Sequence, residues 1–246
     1  MNKSRFIFLT ILLCLFTAFF SFRNQERADE LILSYTVDPA RQDIQFYWKD
    51  DKGNILGSIQ KLKNYIESKH KTLLFATNGG MYTRTQAPQG LFIQHNKILA
   101  SLDTSVGGNG NFYLKPNGVF YLTDNNKAVV CKTTDFKYNA QIKYATQSGP
   151  MLVVDGAIHP AFKEGSSNLN IRNGIGILPD NKIVFAMSKK EINFYDFALY
   201  FKKLGCNNAL YLDGFVSKTY LPEKNWIQTD GNFGVMIGVT EKSDYR

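Results

Sequence analysis

Four short polar stretches place groups capable of chemistry beside glycines at the ends of apolar runs. Asp213-Gly214 follows Ala209-Leu210-Tyr211-Leu212 and precedes Ser217. A carboxylate at the end of a buried strand can serve as nucleophile or base, and the adjoining glycine lets a ligand approach the backbone closely. Asn78-Gly79-Gly80 follows a similar strand, Thr72-Leu73-Leu74-Phe75-Ala76-Thr77. An Asn amide can donate to a sugar hydroxyl or a phosphate oxygen, and consecutive glycines can turn N–H groups toward an anion. These two strands are expected to present Asp213 and Asn78 at one edge of a sheet. Gln147-Ser148-Gly149-Pro150 precedes the apolar strand Met151 to Val154, and Arg172 lies in Asn170-Ile171-Arg172-Asn173-Gly174-Ile175-Gly176. A guanidinium among short residues can grip a phosphate with two parallel contacts. Taken singly, each stretch also reads as a turn: Asp213 as a cap, Asn-Gly-Gly as a tight bend, Arg172 as a solvated side chain beside a hairpin.

Several chemistries are disfavoured. Ser148 has no accompanying His/Asp pattern, which argues against a serine hydrolase. His70, His95 and His159 are far apart in sequence and lack paired cysteines, so no zinc site is expected. His159, in Ile158-His159-Pro160, reads as a loop histidine. No G-x-G-x-x-G follows a strand and no P-loop occurs, and no cofactor or metal is expected. The net charge of +8 is spread along the chain rather than gathered in a block. That distribution suits an anionic ligand and not a nucleic acid.

These residues need elements to hold them. A chain of 246 residues with 44% hydrophobic content can bury one sizeable core. Residues 1–22 read as a signal peptide or an N-terminal membrane anchor, with Lys3 and Arg5 ahead of the apolar run Phe6 to Phe22. Either form exports the body, residues 31–246, to the periplasm or the outer face of the cytoplasmic membrane. Cys14 belongs to that leader; Cys131 and Cys206 remain, and their pairing is open. Leu31 to Val37, Ile44 to Trp48 and Val235 to Thr240 read as strands. Hairpins are expected at Leu91–Leu99, Asn111–Leu122, Met151–Ile158 and Ile175–Ala186, around turns rich in Asn, Asp, Pro and Gly. Helical periodicity appears twice. Ile59, Leu62 and Ile66 follow Ser58 as N-cap; Phe194, Phe197, Ala198, Phe201 and Leu204 follow Asn193, with Gly205 as the stop. The fold class is therefore α+β, with a mixed, largely antiparallel sheet system, hairpins and at least two packing helices.

The four stretches, in this order, resemble the phosphodiester glycosidase family. The matching residues are Thr77 to Tyr82, Gln147 to Leu152, Arg172 to Gly176 and Ala209 to Ser217. The resemblance implies a mixed α/β fold and removal of a sugar joined through its anomeric carbon to a phosphodiester. It puts Asn78, Arg172 and Asp213 in the catalytic site, with Gly79, Gly80, Gln147, Ser148, Gly149, Gly214 and Ser217 binding substrate. Many members read Asp-Gly-Gly-Gly-Ser where this chain has Asp213-Gly214-Phe215-Val216-Ser217, and Thr-Ala where it has Asn173-Gly174. Asp213 would stabilise or attack an oxocarbenium-like transition state while Arg172 holds the departing phosphate; Asp155 and Glu164 are candidates for a second carboxylate. The reading is an exported glycoside hydrolase acting on a sugar phosphodiester. Its alternatives are a noncatalytic cell-envelope module binding an anionic glycan, and a purely structural anchored protein.

Overall fold

The structure, a computed structural model, describes residues 30–213 and 216–242. The leader expected at residues 1–22, and Gly214 among the expected site residues, lie outside the described residues. Three sheets surround a common core. The first runs β1 (Ile32–Val37), β12 (Ile183–Ser188), β11 (Asn173–Ile177), β13 (Ala209–Tyr211), β9 (Met151–Val154) and β10 (Ala157–Ile158). The second runs β15 (Trp226–Ile227), β14 (Thr219–Leu221), β3 (Leu73–Asn78), β16 (Met236–Glu241) and β2 (Gln42–Tyr47). The third runs β5 (Lys97–Ala100), β4 (Phe92–Gln94), β8 (Ile142–Ser148), β6 (Gly118–Thr123) and β7 (Ala128–Lys132). Neighbouring strands pair antiparallel throughout these sheets.

Alternation along the strands sends Phe185, Ile175 and Leu210 of the first sheet, Phe46, Phe75 and Ile237 of the second, and Phe92, Phe120 and Tyr144 of the third into one cluster. Phe75 contacts Tyr35 and Phe185, with ring centroids 4.9 and 5.0 Å away, so the first two sheets are joined through aromatic packing. The helices cover the outer faces. Helix α1 (Ile59–Ser68) buries Ile59, Leu62 and Ile66 against Tyr47, Leu73 and Met236 of the second sheet. Ser58 caps it by accepting the Lys61 N–H. Helix α2 (Phe194–Lys203) buries Phe197, Ala198 and Phe201 against Leu152, Val153, Ala209 and Tyr211 of the first sheet. Asn193 accepts the Asp196 N–H at 2.8 Å, Lys202 and Lys203 favour the negative end of the dipole, and Gly205 at φ +82° turns the chain out.

Three expected hairpins form, β4–β5, β9–β10 and β11–β12. The one at Asn111–Leu122 does not. Asn111–Tyr113 is a 3-10 turn, and β6 pairs with β7 and β8 instead. The reason is local: Asn117 donates its side-chain amide to the Phe112 carbonyl at 3.0 Å, folding the segment onto itself so that no returning strand forms. The sheet-edge expectation is also corrected. Asp213 follows β13 of the first sheet and Asn78 ends β3 of the second, so they meet at a junction between sheets.

Candidate active site

That junction is stitched by side chains gripping the backbone around Asp213. Asn78 donates its amide to the Asp213 carbonyl at 2.9 Å, and its amide oxygen accepts the Lys218 N–H at 3.0 Å. Asn173, on β11, accepts the Asp213 N–H at 3.0 Å and donates toward Asn78 Oδ1 at 3.0 Å. Ser148, at the end of β8, donates to the Leu212 carbonyl, and Ser217 donates to the Asp213 carbonyl at 3.3 Å. Thr77 donates to the Lys218 carbonyl at 3.0 Å. All three sheets thus hold the segment that carries Asp213. A segment outside regular structure must find partners for its buried N–H and C=O groups, and these polar strand ends supply them.

The main chain of Asp213 is tied down, but its carboxyl group is left for other uses. Among the described residues no donor reaches it. Burial holds the carboxyl well above the ordinary carboxylate range, at about 7, because desolvation disfavours the charged form. The Tyr82 phenol lies within reach of its charge: burial first and the Asp213 carboxylate second push that phenol above its ordinary value. A carboxyl poised near neutrality can both accept and return a proton under working conditions.

Residues 71–240 match the phosphodiester glycosidase family. The chain is a member of that family. It is 37% identical over 191 residues to the uncharacterized protein YigE of Escherichia coli (strain K12), spanning 77% of this chain and 74% of that protein. Its fold is similar to the zebrafish N-acetylglucosamine-1-phosphodiester alpha-N-acetylglucosaminidase catalytic domain, a structure auto-inhibited by its pro-peptide. The TM-score is 0.59 at 14% identity, covering 86% of this chain and 84% of that one. A hypothetical protein from Synechocystis is similar at a TM-score of 0.52 and 13% identity, over 86% of this chain but 59% of its own length. At such identities the two solved structures show the fold alone.

In this member of the family, several expected site residues take other work. Arg172 is 1% exposed. Its Nε donates to the Ile192 carbonyl at 2.8 Å, and one terminal nitrogen donates to the Asn168 carbonyl and side chain at 2.9 and 3.1 Å. The guanidinium lies 3.6 Å from the Phe194 ring centre, and burial lowers its pKa while Tyr211 acts to raise it. This geometry speaks against the expected two-pronged phosphate grip: the Nε edge is engaged by the Ile192 carbonyl and by the Asn168 carbonyl and side chain, and Arg172 holds the entry to β11 and so the position of Asn173.

Gln147 is likewise a brace. Its oxygen accepts the Leu91 and Asp103 N–H groups at 3.0 and 2.9 Å, and its nitrogen donates to the Asp103 carbonyl at 2.7 Å. Gly79 donates its N–H to the Val235 carbonyl at 2.8 Å, which removes it from any anion cradle. Gly80 and Gly149 are required by packing. A Cβ on Gly80 would sit 2.2 Å from Thr146 Oγ1, and one on Gly149 would sit 2.6 Å from Asn117 Cβ. Asp155 is excluded as a second carboxylate beside Asp213. It turns β9 into β10 at the Asn207-Asn208 end of β13, the end opposite Asp213, and pairs with Lys132 at 3.2 Å. Glu164 is exposed on the loop after β10.

His159 is buried and reads as structural. Its Nε2 donates to the Lys115 carbonyl at 2.9 Å and its Nδ1 accepts the Ala161 N–H at 3.1 Å. Burial pulls its pKa down, which keeps it neutral and in this arrangement. Cys131 and Cys206 are free thiols. Asn173 and Tyr82 are the residues that sequence reasoning passed over. Asn173 stood in a quoted stretch as the neighbour of Arg172, and an amide opening a strand between two glycine-rich sites was the available signal.

Proposed function

We propose that this chain hydrolyses the bond between the anomeric carbon of a sugar and a phosphodiester, with Asp213 as the catalytic carboxylate. The observation that carries the reading is the desolvated Asp213 carboxyl, held near 7 on a segment clamped from all three sheets. Family membership supports the reaction class.

On this reading a water molecule attacks the anomeric carbon and gives its proton to the Asp213 carboxylate. The bond from that carbon to the phosphate oxygen breaks, and its electron pair leaves with the phosphate. The products are a free sugar and a phosphate monoester. The leaving group is already a good one, so a single carboxylate suffices for the proton transfer. Asn78, Asn173, Ser148 and Ser217 hold the Asp213 backbone, and Arg172 acts at one remove through Asn173. The apolar run behind Lys3 and Arg5 supports an exported enzyme whose substrate belongs to the cell envelope.

Hydrolysis of a sugar-1-phosphodiester in 18O-labelled water tests the reaction. Label in the sugar, with an unlabelled phosphate monoester, supports the reading; label in the phosphate means cleavage at phosphorus and overturns it.

A further inference from the structure

With Arg172 turned inward, the charge gathering on the departing phosphate needs another donor. The loop joining β3 to β4 offers one. Tyr82 lies four residues beyond Asn78, on a loop clipped by Gln89 N–H to the Met81 carbonyl and Thr83 N–H to the Ala87 carbonyl, both at 2.8 Å. Tyr82 itself bridges to Pro88. Gly234 packs against the root of the side chain, where a Cβ on that glycine would fall 2.4 Å from Tyr82 Cβ. The ring packs in the cluster that contains Phe233, and Val216 of the Asp213 segment joins the same cluster. The stem is therefore fixed, half-buried and beside the Asp213 segment.

The hydroxyl has no hydrogen-bond partner among the described residues and is not sealed from solvent, so a ligand can reach it. It is also the phenol on which the Asp213 charge acts. Lys218, the basic side chain nearest in sequence to Asp213, is paired with Asp230 at 3.0 Å.

We propose that the Tyr82 hydroxyl donates a hydrogen bond to the phosphate oxygen that leaves the anomeric carbon, with the sugar lying between Tyr82 and Asp213. The inference rests on the glycosidase reading above. No proton moves from Tyr82. As the carbon–oxygen bond breaks, its electron pair passes to the phosphate oxygen, and the phenolic O–H strengthens its bond to that more negative atom. A donor aimed where charge develops acts more on the transition state than on the bound substrate.

The test is Tyr82→Phe, assayed on a methyl phosphodiester of N-acetylglucosamine 1-phosphate beside wild type and Asp213→Asn. A hydrogen bond to a charged group corresponds to a loss of roughly 10- to 100-fold, expected in kcat with KM little changed and the melting curve superimposable. Should Tyr82→Phe fold poorly, 3,5-difluorotyrosine at position 82 keeps the ring and hydroxyl but makes the phenol more acidic. An alkaline limb should then appear in kcat at lower pH than in wild type. Wild-type turnover that survives Tyr82→Phe unchanged, or a difluorotyrosine enzyme with the wild-type pH profile, overturns the role of Tyr82 while leaving Asp213 in place. An inert wild type on this ester and on other sugar-1-phosphodiesters overturns the glycosidase reading, and the Tyr82 role with it.

Discussion

The side-chain oxygen of Asn173 accepts the backbone N–H of Asp213 at 3.0 Å, while its nitrogen donates to Asn78 Oδ1 at 3.0 Å. One amide therefore joins the segment bearing the carboxylate to the end of β3. Asn173→Ala leaves buried partners unmatched, and an unmatched buried polar group costs about 1–3 kcal/mol. Urea denaturation should show that loss, and Asp213-dependent turnover should fall further than stability alone explains. An unchanged midpoint would mean the segment is held without Asn173.

Arg172→Lys separates a brace from a phosphate grip. Lysine keeps the charge but cannot supply the fork to Ile192 and Asn168 or lie flat on Phe194. The melting temperature should drop, by an amount corresponding to about 1–3 kcal/mol. A phosphate grip would instead leave stability intact and raise KM.

Gly80→Ala tests the close approach of the β3 end to β8. The added methyl would meet Thr146 Oγ1 at 2.2 Å and the Gln147 carbonyl at 2.7 Å. Overpacking of this kind costs about 1–3 kcal/mol. Chemical denaturation of the variant measures it directly, and a wild-type midpoint would show that the junction gives way freely.

Asp213 sets the sign of a pH effect on stability. Its carboxyl is held at about 7 in the folded chain, against about 3.9 in an unfolded one. The native state is then the tighter proton binder at this group, so the contribution of Asp213 to stability is greatest below about pH 4 and is lost as pH rises to about 7. Comparing wild type with Asp213→Asn across that window should reveal a decline of about 2–4 kcal/mol present only in wild type. Turnover should run the other way, rising through pH 7 as the carboxylate forms. A stability difference that stays flat would show that Asp213 titrates as an ordinary surface acid.

The elements were largely legible because their signals are local. Ser58 and Asn193 cap the helices as their spacing implies, and turns such as Asp155-Gly156 form hairpins. Which strands belong to which sheet was not legible: β1 and β2 are sequence neighbours but pair with β12 and β16, partners more than 100 residues away. The four polar stretches do converge at the chain around Asp213. Their division of labour was hidden, since residue type cannot say whether an amide faces a ligand or a neighbouring backbone. Arg172 is the clearest instance. Its flanking glycines suggested freedom, whereas Gly174 and Gly176 are small because Leu210, Phe197, Phe201 and Cys206 press on them.

The most direct measurement is the rate at which purified wild type and Asp213→Asn release reducing sugar from sugar-1-phosphodiesters between pH 5 and 9. The account predicts turnover in wild type that rises with an apparent pKa near 7, and loss of that turnover in a variant that still folds. Undiminished turnover in Asp213→Asn would contradict it.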